Sequence, residues 1–198
     1  MEQFEEQNNN ELKLTPRQEV LTFIWETVKI IIISLAIIIP VRYYLVQPFF
    51  VKGASMENTF EDGDYIIIDE ISYRFTHPER GEVVVFRAPQ DKSQFFIKRV
   101  IGLPSETVVV QNDKVKIFNK DNPNGFSLYE PYLFSGQHTL GDVRIKLDDN
   151  EYFVMGDNRL QSSDSRRWGP VNRSLITGRV FLRAWPLNKL GIYHSPAY

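Results

Sequence analysis

Along this chain the spacing of apolar residues changes character near residue 48. Ahead of that point, ten consecutive uncharged positions from Ile30 to Ile39 are nearly all aliphatic, with Ser34 the one polar residue among them. An amphipathic core helix would place polar residues at every third or fourth position, so this run predicts a helix apolar on all sides, a membrane anchor. Trp25 and Tyr43 flank it 18 residues apart, which is about 27 Å of helix against a hydrocarbon core of ~30 Å. Aromatic rings at that spacing suit the two interfaces, with Glu26, Lys29 and Arg42 reaching the headgroups. The anchor is assigned to residues 22–44, behind an acidic tail over 1–21 that reads as disordered around Asn8-Asn9-Asn10.

Beyond Pro48 the pattern becomes that of short strands. β-Branched and aromatic runs recur at 65–68, 82–86, 95–101, 107–110, 114–118, 143–147, 152–155 and 179–182, separated by turn residues such as Asp62-Gly63, Arg80-Gly81 and Asp148-Asp149-Asn150. Residues 45–198 are therefore expected to be one mainly β domain, an antiparallel sheet or barrel-like fold. The stretch 119–142, rich in Asn, Pro, Gly and Ser, reads as a loop-like insertion.

Composition narrows the function. The chain has 198 residues, 23 Lys plus Arg against 25 Asp plus Glu, a mean hydropathy of -0.28 and no cysteine. Zero Cys excludes disulfides, a thiolate nucleophile and Cys-ligated metal. A net charge of -2 offers no general reason to bind nucleic acid. An acidic lead of 29 residues, with no small-residue cleavage signal after Ile39, argues against a signal peptide that is cut away. Lys and Arg counts at the two ends of the anchor are similar and do not orient it.

If the β domain is an enzyme, its nucleophile is a hydroxyl. The three histidines are poor bases for one: His77 lies in a Thr-His-Pro turn, His138 in the insertion and His194 four residues from the last residue. No Gly-x-Ser-x-Gly elbow occurs, and no histidine pair has metal-ligand spacing. A lysine can serve instead if burial keeps it neutral near pH 7. Lys98 sits mid-strand with Phe96 and Val100 on its face, whereas Lys114, Lys116 and Lys146 alternate with apolar residues as solvated strand faces do. Ser55 follows Gly53-Ala54, small residues that let a substrate backbone approach. Taken singly, Lys98 also reads as an ion-paired strand lysine and Ser55 as a turn serine. A third block, Gly156 to Gly169, holds three Ser, two Asp and three Arg; it reads either as a charged turn or as a shell that orients a Ser/Lys site.

Four blocks in this order and spacing closely resemble the type I (leader) signal peptidases, membrane-anchored Ser/Lys endopeptidases that remove signal peptides from exported proteins. They are Gly53-Ala54-Ser55-Met56-Glu57-Asn58-Thr59-Phe60 with Gly63-Asp64, then Arg80 to Phe86, then Phe96 to Pro104, then Gly156-Asp157-Asn158-Arg159 through Ser162, Asp164-Ser165-Arg166 and Trp168-Gly169. The resemblance implies Ser55 as nucleophile, Lys98 as general base and Ser162 as the hydroxyl that holds the lysine amine. It further implies an Asp164–Arg166 ion pair and a supporting turn at Gly156, Asp157 and Asn158. Phe49, Val51, Gly53, Met56, Phe96 and Ile97 flank the pair and are expected to line the substrate groove, in a family that favours small residues at the first and third positions before the cut. Implied partners are signal-peptide-bearing pre-proteins and membrane lipid, with no metal, cofactor or nucleic acid. The implied location is the cell membrane, single-pass, with the N-terminus cytoplasmic and the catalytic domain outside.

The chain departs from the family pattern at Asn58, where Pro is usual, at Ser105, where Gly is usual, and at Leu160-Gln161. Gly53 stands where some members carry a serine that donates to the oxyanion hole; here the Ser55 amide would act with backbone or water. Two other readings share parts of the pattern. A self-cleaving Ser/Lys repressor would need a DNA-binding domain in place of the anchor, and a non-catalytic membrane-tethered β module would bind signal peptides without cutting them.

Overall fold

The computed structural model of the protein describes residues 15–40, 46–196 and 198. The chain divides into two units, Met1–Arg42 and Tyr43–Tyr198. In the first, α1 (Pro16–Pro40) starts six residues ahead of the expected 22. The cause is local. Gln18 N donates to Thr15 Oγ1 at 3.4 Å while Thr15 N donates to Gln18 Oε1 at 2.9 Å, a reciprocal cap, and Pro16 takes the first helical position, where no N–H is needed. Twenty-five residues make about 37 Å of helix, and the described side chains of α1 are exposed. The helix is long and apolar enough to cross a membrane. The expected disorder at Asn8–Asn10, and Arg42 and Tyr43 at the far interface, lie outside the described residues.

The second unit is built of antiparallel strands, numbered along the chain. The larger sheet runs in the order β1 (Val46–Phe50), β2 (Tyr65–Asp69), β11 (Ile176–Trp185), β3 (Val83–Arg87), β4 (Phe95–Gly102), β9 (Glu151–Met155), β10 (Val171–Asn172), with β12 (Gly191–Ile192) paired to β11. A smaller sheet has the order β7 (Phe126–Ser127), β6 (Lys114–Phe118), β5 (Thr107–Gln111), β8 (Val143–Lys146). Each of the eight apolar runs is a strand. No pairing among the described residues joins β1 to β10, so the fold is an open sheet with a second sheet beside it rather than a closed barrel. The periodicity missed β1, which contains Pro48. A residue without an N–H is tolerated there because β1 is an edge that pairs with β2 alone.

β4 lies between β3 and β9 and has apolar clusters on both faces. Ile97 packs with Val51, Met56, Phe60, Ile66 and Val85, and Val100 with Val84, Phe86 and Val154. A strand covered on both sides must bury its polar residues whichever way they point. Lys98 and Arg99, adjacent and so facing opposite ways, are 4% and 0% exposed. Lys114, Lys116 and Lys146 are exposed, as their alternation predicts.

Candidate active site

Ser55 lies in the turn that leaves β1. Val51 N donates to Asp64 O at 2.9 Å and Gly63 N to Val51 O at 3.0 Å, closing the base of the loop between β1 and β2. Within it, Gly53 adopts φ +84°, a left-handed conformation that glycine takes without a Cβ penalty, and its N–H donates to Asp62 Oδ1 at 2.7 Å. Phe60 N returns to Met56 O at 2.8 Å, and the Met56 side chain is driven into the core. Met56 is fully buried and does not line the groove; the expectation from its position beside Ser55 is corrected because its side chain packs into the core cluster with Phe60, Ile66 and Ile97, while residues 52–55 face the groove.

Lys98 brings its amine to this turn from mid-β4. Nζ donates to Ser55 Oγ at 2.8 Å and to Ile97 O at 2.8 Å. Burial disfavours the ammonium and lowers its pKa from 10.5 to about 8, although the Asp164 and Asp157 carboxylates pull the other way. Neither carboxylate contacts Nζ, so the charged form has field but no ion pair to hold it.

The Gly156 block surrounds this pair. Asn158 N donates to Ser55 O at 3.1 Å, and Asn158 Nδ2 to Glu57 Oε2 at 3.1 Å. Gly156 sits so close that any Cβ there would overlap Ser162 Oγ and Ser55 O. Asp164 caps α2 (Ser165–Trp168) by accepting from Arg166 N, accepts Arg166 Nε and Nη2 at 2.8 Å each, and accepts Gly156 N at 3.1 Å. Burial alone would raise the Asp164 pKa, but the Arg166 hydrogen bonds and charge, the nearby Ser162 hydroxyl and the Gly156 amide together hold it below the usual carboxylate range. Ser162 Oγ is buried without a partner at full hydrogen-bond geometry, and no bond joins it to Lys98 among the described contacts. Asp157 turns away from the amine to pair with Arg99, whose Nε lies 2.8 Å from Oδ1.

A scan of family models matches residues 24–185 to "Signal peptidase, peptidase S26". The chain belongs to that family. It is a serine endopeptidase by that membership. It is similar to signal peptidase I of Leptolyngbya laminosa, 37% identical over 86% of this chain and 84% of that protein. It is likewise similar to probable signal peptidase I-1 of Synechocystis, 35% identical over 85% and 86%. A crystal structure of a signal peptidase I from Enterococcus faecalis aligns with TM-score 0.45 and 32% identity over 52% of this chain and 97% of that one.

The peptidase carries a groove of about 350 Å³ beside the Ser55–Lys98 pair. Phe49, Val51, Gly53, Phe96 and Ile97 line it, with Ile66 and Val85 also contributing. One wall joins β1 to β4, where the rings of Phe49 and Phe95 meet edge-on at 5.2 Å. A larger cleft of about 980 Å³, bounded by Arg80, Arg179 and the segment 192–196, contains neither Ser55 nor Lys98. Among the described residues no three acidic or histidine side chains gather as a metal site. His77, His138 and His194 are exposed.

Sequence reasoning missed the roles of Arg99, Arg159 and the insertion. Arg159, with a fully buried side chain, donates to Gly156 O at 3.1 Å and Thr139 Oγ1 at 2.9 Å and forks onto Glu130. Two buried arginines must have acidic or carbonyl partners, which was the available signal. Those partners stand 58 and 29 residues away, beyond the reach of local pattern.

Proposed function

We propose that this protein removes N-terminal signal peptides from exported pre-proteins, anchored in the cell membrane by α1 with its β domain on the outer side, through a Ser55/Lys98 acyl-enzyme mechanism. The observation that carries the reading is a buried lysine amine 2.8 Å from a serine hydroxyl at the edge of an apolar groove. As the neutral amine, Lys98 accepts the Ser55 proton while Oγ attacks the scissile carbonyl. The ammonium then protonates the leaving amine, and the regenerated amine activates the water that hydrolyses the ester. The Ser55 amide is the assigned backbone donor to the oxyanion, since Gly53 has no hydroxyl and spends its N–H on Asp62. Ser162, beside Gly156 and Ser55 O, is assigned to restrain the amine once substrate closes the groove. Phe49, Phe96 and Ile97 occupy the walls and leave space for small side chains next to the cut.

The test is cleavage of a purified pre-protein by the full-length protein in detergent. Wild type is expected to release the signal peptide, and Ser55→Ala and Lys98→Ala are each expected to lose at least about a thousandfold in rate. Wild-type cleavage by either variant would remove the dyad. Binding of pre-protein without cleavage by the wild type would leave a peptide-binding module instead.

A further inference from the structure

Residue Tyr132, in the middle of the 119–142 insertion, touches both chain segments that carry the catalytic groups. Its carbonyl accepts a hydrogen bond from Asn58 Nδ2, three residues after Ser55. Its ring lies against the guanidinium of Arg99, with Cζ 3.8 Å from the ring centroid, one residue after Lys98. Its hydroxyl donates to Glu130 Oε1 at 2.8 Å, the carboxylate that grips Arg159, and Arg159 in turn holds the Gly156 carbonyl at 3.1 Å. The insertion makes two more attachments to the same shell, Gln137 Nε2 to Asp157 O at 3.1 Å and Arg166 Nη1 to Leu140 O at 2.8 Å.

Ser55 and Lys98 arrive from unconnected places. One rides an irregular turn after an edge strand, the other a central strand, and the single side-chain hydrogen bond between them cannot fix their separation against thermal motion of the turn. Asn58 itself stands at φ +87°, a conformation uncommon outside glycine and one that asparagine tolerates better than most residues, so the position takes this turn readily but needs contacts to hold it there. The contact that holds its side chain is the Tyr132 carbonyl. Opposite, the ring covers the flat face of Arg99 and shields the Arg99–Asp157 pair from water, so that Arg99 keeps the strand register that aims Lys98.

We propose that Tyr132 is a positioning residue for the Ser55–Lys98 pair, clamping the serine turn through Asn58 and the lysine strand through Arg99, so that the insertion sets the rate of the chemical step. This rests on the dyad reading above.

The experiment uses the full-length protein in detergent with a fluorogenic peptide spanning a signal-peptide cleavage site, and compares Tyr132→Ala, Tyr132→Phe and Asn58→Gly with wild type and Ser55→Ala. Misplacing a catalytic pair by a fraction of an ångström to an ångström costs about tenfold to a hundredfold. Tyr132→Ala is expected to lose that much in kcat with KM within about twofold of wild type, and to move the pH at which kcat/KM levels off downward, because water reaching the Arg99–Asp157 pair weakens the Asp157 field that holds the Lys98 pKa up. The carbonyl is main chain and stays in every variant, so Tyr132→Ala removes only the Arg99 arm of the clamp; Tyr132→Phe keeps the ring over Arg99, loses only the hydroxyl bond to Glu130, and is expected to restore most of kcat. Asn58→Gly suits the positive φ, removes the one contact to the carbonyl, and is expected to lose several-fold in kcat; it decides the matter if Tyr132→Ala does not fold. Unchanged kcat and pH profile in Asn58→Gly and in folded Tyr132→Ala would overturn the clamp, as would equal losses in Tyr132→Ala and Tyr132→Phe. Cleavage by Ser55→Ala, or none by wild type, would instead overturn the dyad.

Discussion

The depressed pKa of Lys98 sets a quantitative expectation for the pH dependence of this enzyme. With a value near 8 rather than 10.5, about one amine in ten is neutral at pH 7, against about three in ten thousand for a solvated lysine, a gain of about 300-fold in competent base. The same difference corresponds to about 3 kcal/mol net, lost solvation less the attraction of Asp164 and Asp157, a cost the fold bears in full below pH ~8, where both folded and unfolded lysine are protonated. Between pH ~8 and ~10.5 the folded chain has released the proton and the unfolded chain has not, so stability rises with pH across that window. The assay is kcat/KM for a fluorogenic signal-peptide substrate from about pH 5.5 to 10. The expected profile climbs tenfold per pH unit and levels off near pH 8. Asp164→Asn removes the larger of the two negative fields on the amine and leaves Arg166 uncompensated; both effects lower the Lys98 pKa, so the rising limb is expected to move to lower pH even though the overall rate falls. A flat profile through pH 8, a limb near 10.5, or an upward shift in Asp164→Asn would refute the account of how burial activates Lys98.

Two backbone substitutions probe the turns. Gly156→Ala places a methyl group into Ser162 Oγ and the Ser55 carbonyl, and since the second of these is backbone, Ser55 itself must move; kcat is expected to fall at least about a hundredfold in steady-state kinetics, and a wild-type kcat would mean the Gly156 turn does not set the serine. Asn58→Pro introduces the residue usual at that point in the family, but φ +87° is closed to a proline ring fixed near -65°. Denaturant unfolding is expected to show a loss of about 3 kcal/mol or more, and full stability would mean the turn holds its conformation for another reason than the one seen here.

Much of the fold was legible because it depends on local period. The eight apolar runs became strands, and the isoleucine run became a helix fit to cross a membrane. What escaped was decided by neighbours. β1 was hidden by Pro48, which an edge position makes harmless. Helix α1 gained its first turn from a Thr15–Gln18 cap that carries no hydrophobic signal. Met56 was placed in the groove by adjacency to Ser55, yet the direction of a side chain on an irregular turn follows from hydrogen bonds such as Phe60 N to Met56 O. The insertion read as a loop, and in backbone terms it is largely one, but its carboxylate, ring and hydroxyls are what the buried arginines require.

The pair Lys98-Arg99 shows why motif residues could be named from sequence while their states could not. Both are cations on one strand, both are buried, and the same desolvation acts on each. Their fates diverge through what lies opposite. Arg99 meets the Asp157 carboxylate with two nitrogens, donates to Gly81 O at 2.7 Å and stacks on Tyr132, so the attraction outweighs the burial cost and its pKa rises. Lys98 meets a hydroxyl, a carbonyl and an aromatic ring 5.8 Å away, none of which repays an ammonium for lost water, so its pKa falls. By drawing Asp157 to the far face of β4, Arg99 keeps one of the two carboxylates whose fields reach the amine from forming an ion pair with Lys98, which would hold it charged and unable to act as a base. An alternating strand thus separates a paired arginine from a lysine amine left without an ion pair, and the proposed Ser55/Lys98 chemistry depends on the arginine next door staying paired.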